Sequence, residues 1–120
     1  MATEADVRRI ALSLPETTEE TWYRTPGYKV AGKGFLRFRT EAEGGLVVFV
    51  SDLGEKQSLL DQDHPGFFTA PHYDNYPIVL VNIAAVDLDE LRELITESWR
   101  LKAPARLRKT YDDQPDFDED

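Results

Sequence analysis

The sequence contains no cysteine, which excludes disulfides, thiolate metal ligands and a cysteine nucleophile. It also lacks a long apolar run: the longest, Ile78 to Val86, has nine residues, whereas a membrane helix needs about 20. The N-terminal segment MATEADVRR has no apolar stretch of the kind that a secretory signal carries. From these absences we expect a cytoplasmic protein with no membrane association.

Positive charge is also scarce, because 14 Lys and Arg face 23 Asp and Glu, for a net charge of −9. Residues 112–120 hold six acids and no base. We therefore predict one folded domain over residues 1–111 and a disordered acidic tail over residues 112–120. Directly before this tail stands a run of five cations: Arg100, Lys102, Arg106, Arg108 and Lys109. The run reads either as a solvated helix end or as a basic binding patch shielded by the tail.

Helix signals occur at three places in a chain of 120 residues, a length typical of one domain. Thr3 and Asp6 have the spacing of a capping box, and Pro15 ends the apolar helical pattern that follows them. The same cap spacing recurs at Asp52 with Glu55 and at Asp87 with Glu90. The sequence therefore predicts three helices, the last of them amphipathic, and Pro104 either ends this last helix or starts another short one.

Strand signals fill the intervals between these helices. The signals before the second helix, at residues 17–23, 28–30, 35–39 and 46–50, predict three or four strands, and those after it predict one or two, the clearest at residues 78–83. Pro26-Gly27 is predicted as a turn, and residues 61–77 as a structured loop. Grouped strands predict the α+β class, an antiparallel sheet with helices 1 and 3 packed on one face.

Two patterns could carry chemistry, and neither has the spacing of an established motif. Gly27 to Gly34 reads G-x-x-x-x-G-K-G, but a phosphate-binding loop needs Ser or Thr after the lysine and a helix behind it. His64 and His72 share a loop with three aspartates, yet their spacing matches no metal motif. We read the first as a hairpin and the histidines as hydrogen-bonding loop residues, and expect no enzyme, metal or cofactor.

A second group of cations lies on the predicted strands: Lys29, Lys33, Arg37 and Arg39, with the aromatic residues Tyr28 and Trp22 nearby. If this hairpin acts as the wing of a winged DNA-binding arrangement, we expect its cations to contact phosphates and its aromatic rings to stack on bases. The alternative is an edge hairpin that Lys and Arg protect from aggregation.

Several local strings resemble the MmcQ/YjbR family of small bacterial proteins, which are often labelled DNA-binding. The strings are Leu14-Pro15-Glu16, Trp22, residues 26–30 with Gly32-Lys33 and Phe35, residues 64–67 with Ala70 and Tyr73, and residues 91–99 running into Leu101. The resemblance covers roughly residues 4–104. It implies an α-β(3)-α-β(2)-α fold similar to that of secretion chaperones, and no catalytic residues to transfer.

Three functions follow as expectations, and the first two are the better supported. The first, from the family resemblance, is DNA binding through both groups of cations, with a steep dependence on salt. The second is a protein or peptide interaction module that uses a sheet edge or an apolar groove. Convergence of the cations on one surface would favour the first. An enzyme or small-ligand site in residues 61–77 is the third alternative, and a closed pocket holding both histidines would favour it.

Overall fold

The fold, taken from a computed structural model that describes residues 2–22 and 24–113, is a six-stranded antiparallel sheet with four helices. The helices are α1 (Glu4–Leu12), α2 (Leu53–Leu60), α3 (Leu88–Lys102) and α4 (Ala105–Asp113). The strands are β1 (Thr17–Trp22), β2 (Thr25–Val30), β3 (Lys33–Phe38), β4 (Leu46–Phe49), β5 (Phe67–Phe68) and β6 (Ile78–Val81), in the spatial order β1-β2-β3-β4-β6-β5. The predicted α+β class is confirmed.

The two faces of the sheet are covered differently. On one face α1 and α3 pack against each other and over the strands, and this main core includes Tyr28, Leu36 and Trp99. The opposite face, here called the second face, carries a smaller cluster around Val47, Leu80 and Tyr73. A short 3-10 turn, Pro71–Tyr73, contributes the last of these. The predicted packing of helices 1 and 3 on one face is confirmed.

Four strands precede α2, the larger of the two counts that the sequence pattern allowed, whereas the family resemblance implied three. The predicted turn at Pro26-Gly27 is wrong, because both residues belong to β2 and pair with β1. β3 joins β2 only from Gly27 onwards, so Pro26 has a neighbouring strand on one side alone. A residue without an N–H is tolerated in such a place.

The hairpin between β2 and β3 contains a bulge. The register shifts between Tyr28 and Lys29, and Phe35 is the extra residue on β3. Phe35 and its neighbour Leu36 are therefore both buried in the main core. This bulge explains why the alternation of apolar and charged residues along β3 is imperfect.

The three predicted helix caps are confirmed. Asp6 and Glu90 complete capping boxes with Thr3 and Asp87, and Asp52 accepts a bond from the backbone N–H of Glu55. At the other end of the chain, α4 extends to Asp113, so the first two residues of the predicted tail are helical. Residues 114–120 lie outside the described residues. No helix in the described ranges is long and apolar enough to cross a membrane.

Candidate functional site: an acidic groove and a dispersed set of cations

Two of the predicted basic residues of the hairpin, Lys29 and Arg37, lie on the second face of the sheet. Tyr28 and Leu36 point into the main core, so the adjacent Lys29 and Arg37 project from the opposite side. The Lys29 Nζ is 3.4 Å from Glu20 Oε1, and the Arg37 Nη2 donates to the Tyr73 hydroxyl at 3.1 Å. The strands therefore place these cations away from α1 and α3.

The other hairpin residues do not extend this group into a phosphate-binding wing. Arg39 has a side chain only 13% exposed, 3.8 Å from the Glu43 carboxylate, and Lys33 lies exposed where β3 begins. Tyr28 is buried, and its hydroxyl donates to Glu19 at 2.9 Å, which together with burial raises the Tyr28 pKa. Tyr28 therefore cannot stack on a base. The side chain of Trp22 lies outside the described residues.

Three of the five C-terminal cations form ion pairs within the chain. The closest N···O distances are 2.8 Å for Arg100 with Asp112, 2.9 Å for Arg106 with Glu16, and 3.0 Å for Lys109 with Asp113. Hydrogen bonds from Arg100 and Arg106 lower the pKa of Asp112 and Glu16. The acidic residues just before the end of the described chain thus neutralise part of this segment.

The remaining two cations of that segment have structural contacts. Arg108 donates to the carbonyl of Ala103 at 2.6 Å, beside the C-terminal end of α3. The Nζ of Lys102 lies 4.2 Å from the centre of the Phe49 ring, a cation–π contact. Of the nine cations predicted to bind nucleic acid, five pair with carboxylates: Lys29, Arg39, Arg100, Arg106 and Lys109. The fold therefore does not bring the nine together: Lys29 and Arg37 project from the second face, whereas the five C-terminal cations lie at the end of α3 and on α4.

The two histidines do not form a site together. His64 accepts a bond from the backbone N–H of Gly66 at Nδ1, so its Nε2 carries the proton and donates to Glu90 at 2.9 Å. Its ring stacks on Phe67, with centroids 4.4 Å apart, whereas His72 is exposed and contacts the edge of Tyr73. Among the described residues, no three His, Asp or Glu side chains are placed to hold a metal. His64 ties the loop before β5 to the start of α3.

The Ser98-Trp99 pair, part of the family resemblance, is structural. Ser98 is fully buried; its hydroxyl donates to the carbonyl of Phe35 at 2.5 Å and accepts from the N–H of Phe49 at 3.1 Å. This hydroxyl therefore bridges β3 and β4 beside the bulge. The indole N–H of Trp99 donates to the carbonyl of Pro15 at 3.2 Å, which joins α3 to the start of β1.

One buried charged residue was missed by the sequence analysis. Lys56 on α2 is 5% exposed, and its ammonium group donates to the carbonyls of Tyr73 and Tyr76. Burial lowers the Lys56 pKa, and the charge of Asp74 opposes this effect. Nothing local marks Lys56, because its acceptors lie 17 and 20 residues later in the chain.

A groove runs between α2 and α3, beside the end of β4. Its first cavity has a volume of about 130 Å³, and a second of about 270 Å³ adjoins it, with Leu59, Glu93 and Leu94 lining both. We call the two together the α2–α3 groove. Its lining includes seven apolar residues: Val48, Phe49, Val50, Leu59, Phe67, Leu94 and Leu101.

Carboxylates line the edges of this groove. They are Glu55, Glu93 and Glu97 around the first cavity and Asp87, Asp89, Glu90 and Glu93 around the second. Within the described ranges, Glu55, Asp89, Glu93 and Glu97 form no ion pair. The sequence analysis missed the groove; the spacing of Asp89, Glu93 and Glu97 beside Leu94 and Leu101 was the available signal.

Comparison with known proteins places the chain in a family. The family model described as YjbR matches residues 12–101. Three curated relatives are each 39% identical over 126 residues, covering 92% of this chain and 96% of their own length. They are the uncharacterized protein Mb2600 of Mycobacterium bovis and the uncharacterized proteins MT2646 and Rv2570 of Mycobacterium tuberculosis. The match over the sheet and α3, together with these full-length relatives, shows that this chain belongs to the YjbR family.

Proposed function

We propose that this protein is an interaction module that holds a segment of a partner protein in the α2–α3 groove. The observation that carries the proposal is the groove itself, a trough open to solvent with apolar residues in its lining and carboxylates along its edges. Four of these carboxylates form no ion pair in the described chain: Glu55, Asp89, Glu93 and Glu97. Its occupant is a protein segment that supplies apolar side chains to the floor and positive charge to the edges.

The dimensions and the exposed apolar surface support this occupant. An engineered protein cavity of about 150 Å³ binds benzene, so the first cavity, at about 130 Å³, accommodates one apolar side chain. Leu101, on its edge, is 44% exposed, and Leu59 and Leu94 are half-buried. Anchoring of a few apolar side chains in such pockets supplies most of the binding energy in many protein interfaces.

The distribution of charge favours a protein partner over DNA. Five of the nine candidate cations already face carboxylates, which lowers the positive potential that a phosphate backbone would meet. The groove carboxylates and the net charge of −9 repel phosphate.

A displayed library of random peptides, selected on the immobilised full chain, tests the proposal. We expect enriched peptides that carry apolar anchors and bind at least tenfold more weakly to Leu101→Glu. Tyr76→Glu is the matched control, because Tyr76 is 56% exposed and lines neither cavity. Circular dichroism establishes that both variants fold. Failure to enrich any peptide, or equal binding to the wild type and Leu101→Glu, contradicts the proposal.

DNA binding, the function that the family resemblance implied, predicts a different result. It requires that labelled duplex or single-stranded DNA bind the chain and lose affinity steeply as salt rises. We expect no such binding by the full chain or by residues 1–113, from which four of the tail carboxylates are removed. Micromolar, salt-sensitive binding by either form would instead assign the basic residues to nucleic acid.

A further inference from the structure

The carboxylates of α3 form a regular stripe along the α2–α3 groove. Asp89, Glu93 and Glu97 follow one another at four-residue intervals, each step being about 6 Å along a helix. Leu94 and Leu101 run beside them, seven residues apart, or about 10.5 Å. Side chains on one face of any helix recur at intervals of four and seven residues. A second helix can therefore contact the carboxylate row and the leucine row of α3 at once.

The charge along the groove changes from one end to the other. Asp87, Asp89, Glu90 and Glu93 surround the cavity at the N-terminal half of α3. Toward the C-terminal end of α3 the first cavity has three carboxylates instead of four, Glu55, Glu93 and Glu97, and it ends at Leu101, whose neighbours in sequence are the cations Arg100 and Lys102. A partner segment therefore gains most when its cations face the N-terminal half of α3 and its apolar side chains face the other end.

We infer that the partner is an amphipathic helix with lysines or arginines in its C-terminal half, lying antiparallel to α3 in the groove. Cations near the C-terminal end of a helix stabilise it, because they interact favourably with the negative end of the helix dipole. Antiparallel placement brings that end against the carboxylates of α3, and it also opposes the two helix dipoles. This inference rests on the proposed function, and it adds the chemistry and direction of the occupant.

Three synthetic 14-residue helical peptides with one leucine stripe test the inference by fluorescence anisotropy on the full chain. The first carries lysines in its C-terminal half, the second has them in its N-terminal half, and the third has glutamine in their place. At low salt we expect the first to bind about tenfold more tightly than either of the others. We also expect salt to weaken this first complex most, because exposed charge pairs are screened.

Charge reversal on the protein gives the matched control. Glu93→Lys should weaken binding of the first peptide by about tenfold, since it removes one attraction and adds one repulsion. Glu41→Lys changes the net charge by the same amount, but Glu41 lies on the exposed connection between β3 and β4. This variant should weaken binding of the first peptide less than twofold.

The outcomes separate this inference from the proposed function. If the glutamine peptide binds as well as the first and still depends on Leu101, the inference is wrong and the groove proposal stands. Equal binding by the two lysine peptides would overturn the antiparallel direction. Binding by none of the three at millimolar concentration would overturn both proposals.

Discussion

Ser98 shows how much one small side chain contributes to this sheet. A bulge at Phe35 leaves its carbonyl, and the N–H of Phe49 on the next strand, available at the same place on the main core side. The Ser98 hydroxyl satisfies both groups from α3. Since buried backbone groups are costly to leave without partners, the serine allows the bulge to be buried.

Ser98→Ala should lower the free energy of unfolding by about 1–3 kcal/mol, because it leaves a buried carbonyl and a buried N–H without their shared partner. Urea denaturation measures the change. Ser58→Ala, at an exposed site on α2, is the control and should stay within about 0.5 kcal/mol of the wild type. Equal midpoints for the two variants would show that the bridge is not needed.

At the scale of helices and strands, the features that depend on residues close together in sequence could be predicted. Each helix cap depends on residues three apart, so Thr3, Asp52 and Asp87 mark their helices directly in the sequence. The strand signals at residues 28–30 and 35–39 place the β2–β3 connection within residues 31–34, without fixing the turn inside it. The structure turns at Ala31-Gly32, where both residues have positive φ, +49° and +85°. Such a primed two-residue turn matches the twist of the strands.

Ala31→Asn should stabilise the protein by about 0.5–1 kcal/mol, because asparagine tolerates the left-handed conformation that costs alanine free energy. The midpoint of urea unfolding should therefore rise. Ala42→Asn, exposed in the connection after β3 and without a positive φ, is the matched control and should change little. A lower midpoint for Ala31→Asn would contradict this account of the turn.

At the scale of the whole molecule, partners that lie far apart in sequence were not predictable. Glu16 pairs with Arg106 across 90 residues, and the Ser98 hydroxyl bonds the Phe35 carbonyl across 63. No local pattern indicates these two contacts, whereas Arg39 with Glu43 and Lys109 with Asp113 are four residues apart and had a visible spacing. The acidic spacing along α3 was visible too, but the α2–α3 groove was not, since its two walls come from helices that are distant in sequence.

The carboxylates that accept these bonds make stability depend on pH. Hydrogen bonds lower the pKa of Glu16, Glu19 and Asp112 in the folded state, chiefly from Arg106, Tyr28 and Arg100. The unfolded chain therefore binds more protons below the ordinary values of 4.5 for Glu and 3.8 for Asp. The stabilisation is complete above these values and is lost as pH falls through the folded-state pKa values.

Urea denaturation at pH 7 and at steps below pH 4.5 should show this loss. Glu19→Gln should make the decline shallower, because it removes one of the groups whose pKa is lowered. Glu41→Gln, at an exposed carboxylate without an ion pair in the described chain, should leave the decline unchanged. A decline equally steep in all three proteins would argue that other groups govern acid stability.

The bond from Trp99 to the carbonyl of Pro15 joins residues 84 apart in the chain. α3 closes the main core over strands that are synthesised before it, so a growing chain that ends before α3 exposes the buried apolar face of β2 to β4. The main core is therefore completed only after α3 has been synthesised. Until then the apolar face of these strands is uncovered, and exposed hydrophobic surface of this kind promotes aggregation.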